Sequence, residues 1–168
     1  MYRVAPGVWN ALAKVSHLDI HQPQPRMPPS IPAGVSRLSR LFTHDGLDAN
    51  GKYLEDPQLC ASYLAYYVPV NLSKVQLLLD ELQSVLPSAR HENFRVLDMG
   101  SGPGTGALAT LNWCCTTSEP PFDALHMTVV DRSARALALC TEVWQAYGET
   151  CQRAKISRLE TLEHNLEH

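Results

Sequence analysis

The chain has 168 residues, 45% hydrophobic and 18% charged, enough apolar material for one ordinary domain with a substantial core, which excludes a disordered or fibrous protein. A net charge of -3 and a pI near 6.1 leave no whole-chain electrostatic footprint for nucleic acid. The opening MYRVAPGVWNALAKV lacks the apolar core of a signal peptide, and no stretch reaches the about 18 apolar residues of a membrane span, so a soluble cytoplasmic protein with no membrane partner is expected.

From Pro6 to about Leu18, Val8, Trp9, Leu12 and Val15 recur at helical spacing. The prolines of HQPQPRMPPSIP then stop regular structure, which places a linker near residues 22–32. A short helix follows, with Val35, Leu38 and Leu41 at three-residue steps. Arg26, Arg37 and Arg40 are the best local basic patch and read as solvated arginines. THDGLDANGKYLED is polar and punctuated by glycine, so it reads as a loop. Asp48, Asn50 and Gly51 resemble part of a calcium loop, but its first ligand position falls on Gly46 and its closing glutamate is missing, so turn chemistry is expected.

Asp56 is placed to cap a helix with Pro57 at its first position, running to Val68 before Pro69 stops it, and Asn71 can cap the next helix. That helix carries the stripe Val75, Leu78, Leu79, Leu82 and Val85 and ends near Pro87. Tyr63, Tyr66 and Tyr67 are expected between helices, with stacking on a substrate as the alternative. Residues 1–90 thus form a helical N-terminal region.

After Pro87 the pattern changes. FRVLDMG reads as a strand, TGALATLNWCC as a helix, ALHMTVVDRS as a second strand, and ARALALCTEVWQAYGETCQRA as a helix capped by Ser133. Strand, glycine turn, helix and strand make a βαβ unit with a parallel pair. Trp113, Cys114 and Cys115 read as core. The five cysteines, Cys60, Cys114, Cys115, Cys140 and Cys151, are odd in number and lack a C-x-x-C pair, so reduced, buried thiols are expected rather than a disulfide framework or zinc site.

The chemistry concentrates in VLDMGSGPGTG. Gly100, Gly102, Gly104 and Gly106 follow a strand and open a helix, so backbone N–H groups converge where no Cβ hinders a ligand. A triphosphate loop is disfavoured, because Gly104, Thr105 and Gly106 lack its lysine. A dinucleotide remains open on spacing, since Gly102, Gly104 and Ala107 satisfy G-x-G-x-x-A. Asp98 tips the choice: a carboxylate at the strand end suits the sulfonium and ammonium of S-adenosylmethionine and repels a pyrophosphate. Asp131 ends the second strand and can accept from both ribose hydroxyls of either ligand. It lies farther from Gly104 than the usual about 20 positions, with TTSEPPFDA as the insertion.

These residues resemble the class I S-adenosylmethionine-dependent methyltransferases: VLDMGSGPGTG is similar to their first motif and VVDRS to the acidic end of their second strand. The resemblance implies that Asp98 and the turn Gly100, Ser101, Gly102 and Gly104 line the methionine and adenosine, and that Asp131 takes the ribose. More narrowly, YLEDPQLCASYLAYYVPVNLSKVQLLLDEL ahead of that motif is similar to bacterial relatives of the methyltransferase-like family of the mitochondrial small ribosomal subunit. That likeness implies the small subunit or its rRNA as partner. It also implies iron–sulfur cysteines, whose grouping none of the cysteines here shows.

The expected fold is α/β: a helical region over 1–90, then an incomplete Rossmann-like methyltransferase sheet over 91–164. Leu166–His168 resemble a purification-tag junction, with 165–168 set aside. A full fold of this kind has seven strands and only two are legible, so the chain reads as a fragment with no assignable catalytic base and no methyl transfer of its own. Its glycine-bearing strand is expected to be an exposed edge that self-associates or is covered by the N-terminal segment. The alternatives are a non-catalytic ribosome assembly factor and a nicotinamide-dependent oxidoreductase.

Overall fold

A computed structural model describes residues 4–19, 27–43, 52–85, 91–117, 122–151 and 157–165. The Asp48–Gly51 turn, residues 22–26 of the proline linker and the Leu166–His168 tail lie outside them.

Helix α1 spans Pro6–Val15 and α2 spans Ser30–Thr43, so Ser30, Ile31 and Pro32 belong to a helix rather than to the linker. Proline is tolerated there because the first turn leaves its N–H groups unpaired in any case. A 3-10 turn at Lys52–Leu54 precedes α3, Pro57–Ser62. Asp56 caps α3 as expected, its carboxylate accepting from the N–H groups of Gln58 and Leu59 at 2.9 and 3.2 Å. Arg37 pairs with Asp56 at 3.1 Å.

Pro69 does not end the helix. A π turn, Tyr63–Tyr67, joins α3 directly to α4, Val68–Val85, and the Val68 N–H donates five residues back to the Tyr63 carbonyl. The wider turn gives the proline ring room beside the preceding carbonyls, the clash that breaks an ordinary helix. Asn71 therefore sits inside α4 and accepts from Lys74 Nζ at 3.0 Å instead of capping. The buried face of α4 is Val68, Pro69, Leu72 and Gln76, joined by the partly buried Val75 and Leu79. Leu78 and Val85 from the expected stripe are 64% and 76% exposed.

Strands β1, His91–Met99, β2, Phe122–Asp131, and β3, Arg158–Glu163, form a parallel sheet in the order β1-β2-β3. Helices α5, Thr105–Thr116, and α6, Ala134–Gly148, make the two crossovers. The third strand corrects the two-stranded expectation. Its sequence RLETLE is exposed almost throughout, so it carries none of the apolar alternation that marks a half-buried strand.

Register puts Phe94, Val96 and Asp98 beside Leu125, Met127 and Val129. This face joins α5 and α6 in one core that also takes in Val8 and Leu12 of α1, Leu64 of the π turn and Leu72 of α4. Trp113 extends that union through its indole N–H, which donates to Asp80 of α4 at 2.8 Å, and Cys114 is buried as expected. Cys115 is not a thiol: it is disulfide-bonded to Cys151, with Cα atoms 6.3 Å apart. Cys60, Cys114 and Cys140 lie outside the disulfide and are buried. Among the described residues, no helix is long and apolar enough to cross a membrane.

Candidate functional site

The turn between β1 and α5 is fixed by hydrogen bonds that its own sequence cannot reveal. The N–H groups of Gly100 and Ser101 both donate to the Val130 carbonyl, at 2.8 and 3.1 Å, which folds the turn back across the end of β2. The Gly102 N–H donates to Asp131 Oδ2 at 2.8 Å, and the Ser133 N–H to Asp131 Oδ1 at 2.9 Å. One carboxylate thus clamps the glycine turn to the start of α6. An ionised carboxylate has about four acceptor positions, so Asp131 retains capacity for two ligand hydroxyls.

Gly104 occupies the N-cap of α5 with φ +82°. A Cβ there would collide with the Cys140 side chain of α6, so both conformation and packing demand glycine. The Cys140 thiol is pushed up to about 12, by burial first and then by the charge of Asp98. It is a packed, protonated group and not a nucleophile.

Asp98 lies under the first turn of α5. A Cβ on Gly106 would come within 2.5 Å of Asp98 Oδ2, so the missing side chain makes room for the carboxylate. That oxygen is buried and has no hydrogen-bond partner among the described residues. Burial, and secondly the charge of Asp131, raise the Asp98 carboxyl above the ordinary carboxylate range. An orphaned, charged oxygen costs stability unless a donor or cation meets it. The residues therefore fit a ligand that brings positive charge and N–H donors to the end of β1.

Every residue expected at the site, Asp98, Gly100, Ser101, Gly102, Gly104 and Asp131, lies at the carboxyl ends of β1 and β2 or in the turn between β1 and α5, where parallel α/β sheets bind ligands. Sequence reasoning offered the helical region's Tyr63 only as an alternative to packing and missed Tyr53. The Tyr63 hydroxyl stands 3.9 Å from the place a Cβ on Gly102 would occupy, and Tyr53 packs beside it with ring centroids 5.7 Å apart. Burial, then the charge of Asp131, raises Tyr63, while a hydrogen bond with Thr105 pulls the other way. Tyr63 and Tyr67 are stacked at 5.4 Å, so the expected interhelical packing holds for them, whereas Tyr66 is 48% exposed.

The chain matches no protein-family model, and no curated protein matches it.

Proposed function

We propose that this chain is the helical region and cofactor-binding part of an S-adenosylmethionine-dependent methyltransferase-like protein acting in small ribosomal subunit assembly or rRNA modification. The observation that carries the cofactor is the buried, unpartnered Asp98 Oδ2 beneath the glycine turn. A diphosphate brought to this position adds negative charge to two carboxylates, whereas the ammonium of a methionine arm neutralises one of them. The partner, the small subunit or its rRNA, rests on the sequence likeness of residues 53–82 alone, and the cytoplasm is its proposed location.

In this reading Asp98 receives the cationic arm, Gly100, Ser101, Gly102 and Gly104 let the ligand approach the backbone, and Asp131 accepts from the ribose. S-adenosylmethionine supplies an electrophilic methyl group when bound. The protein contributes proximity and orientation, and Cys140 takes no part because its thiol stays protonated.

Calorimetric titration of the chain with S-adenosylmethionine and with NAD, run in parallel, tests the assignment. Heat of binding with the first and none with the second is expected. The reverse result identifies a nicotinamide-dependent oxidoreductase and overturns it. In a methylating protein, Asp98→Asn abolishes methylation and retains ribosome binding; a non-catalytic assembly factor has no methylation to lose.

A further inference from the structure

Tyr53 and Tyr63 belong to the helical region, yet both sit at the ligand end of the sheet. The Tyr63 hydroxyl is located by Gly102 of the turn, standing 3.9 Å from the place a Cβ there would occupy, and the charge of Asp131 at the end of β2 reaches the same phenol. The charge of Asp131 also reaches the Tyr53 phenol, as does that of Arg132. Behind the pair, Phe42 lies edge-on to Tyr53 at 5.4 Å and Tyr67 stacks on Tyr63 at 5.4 Å. A phenylalanine would satisfy this ring packing, so packing does not account for a hydroxyl aimed at the turn. Tyr63 also opens the π turn, a helix irregularity that recurs where a side chain must be re-aimed for function.

We propose that Tyr63, backed by Tyr53, is a positioning and specificity residue for the nucleoside half of the ligand, its hydroxyl donating to the ribose from which Asp131 accepts. The inference rests on reading the site as an S-adenosylmethionine site and adds to it that the helical region forms one wall. A donor and an acceptor together recognise a hydroxyl more tightly than a carboxylate alone. Burial keeps the proton on Tyr63 at neutral pH, so the group remains a donor.

The test measures S-adenosylmethionine and adenosine binding to the full chain and to Tyr63→Phe, with Tyr66→Phe as the exposed control and Asp98→Asn as the methionine-arm control. Loss of one hydrogen bond predicts that Tyr63→Phe weakens both ligands by the same factor, about five- to tenfold. Asp98→Asn weakens S-adenosylmethionine and spares adenosine, and Tyr66→Phe changes neither. Should Tyr63→Phe melt early, Thr105→Val carries the test with the same expected sign, because it removes the hydroxyl that acts on the phenol and leaves the rings packed. Unchanged or tighter binding by Tyr63→Phe overturns the inference and leaves the site reading standing, as does a loss confined to S-adenosylmethionine. A wild-type chain that binds neither ligand overturns the site reading, and this inference with it.

Discussion

Asp98 is where stability and ligand binding oppose each other. Its carboxyl is raised by burial and by Asp131, so the folded chain holds the proton more readily than the unfolded chain does. For an acid raised on folding, the stabilisation is present in full below the ordinary carboxylate range and is lost as pH rises through the raised value. Asp98→Asn removes the charge and keeps the shape. Chemical denaturation is therefore expected to show the variant more stable than wild type by about 1 kcal/mol near neutral pH, with the gap closing as the pH falls to about 4. An equal or lower stability for the variant at neutral pH would show that the carboxylate has a partner. The same substitution weakens S-adenosylmethionine, so gain in stability and loss of affinity travel together. At this scale much of the site was legible in the sequence. Glycines and strand-end acids act through local backbone geometry, and their order along the chain already encodes it. Tyr53 was not legible as a site residue, and Tyr63 was so only as the alternative to interhelical packing, because Gly102 meets Tyr63 only after the helical region docks.

Among the elements, α5 and α6 illustrate how a contact becomes invisible to spacing. Both are crossovers between parallel strands, so they run in the same direction and end at the same side of the sheet. Cys115 closes α5 and Cys151 follows α6, which brings the pair together across 36 positions. An odd cysteine count without a short-range pair gives no hint of this. Asn112 and Tyr147 tie the same helices in their C-terminal halves, the phenol donating to the amide oxygen at 2.7 Å in a buried contact. A loop of that length predicts that the disulfide contributes about 3–4 kcal/mol. Denaturation with and without reductant is expected to differ by that amount, and Cys115→Ser to match the reduced protein; identical curves would show that the thiols are unpaired in solution. A reducing cytoplasm disfavours such a bond, so its redox state in cells bears directly on the proposed location. Two other elements escaped sequence reasoning for separate reasons. β3 is polar on both faces, and Pro69 imitated a helix stop because a π turn cannot be seen in residue spacing.

For the molecule as a whole, the two crossover helices cover one face of the sheet and leave the other bare. Arg95, Leu97 and Met99 alternate onto the bare face, with Leu97 and Met99 59% and 61% exposed. Met99, Val130 and Leu162 align across the three strands, which makes an apolar row at the same end of the sheet as the glycine turn. β1 is also the edge of the described sheet, and no described strand pairs with its far side. Edges of this kind are normally blunted by charge, proline or a covering segment; here the strand carries Phe94, Val96, Leu97 and Met99. The proposed self-association joins two β1 strands about a twofold axis, so that two copies share one sheet and satisfy each other's edge. Light scattering is expected to give twice the chain mass for the wild type and the chain mass for Leu97→Lys/Met99→Lys, since lysines on an edge strand oppose pairing. Amide exchange in β1 should be slow in the dimer and faster in the double variant. A monomeric wild type whose β1 amides exchange freely would leave the edge without a partner of its own kind. Slow exchange in a monomer would instead mean that residues outside those described cover it.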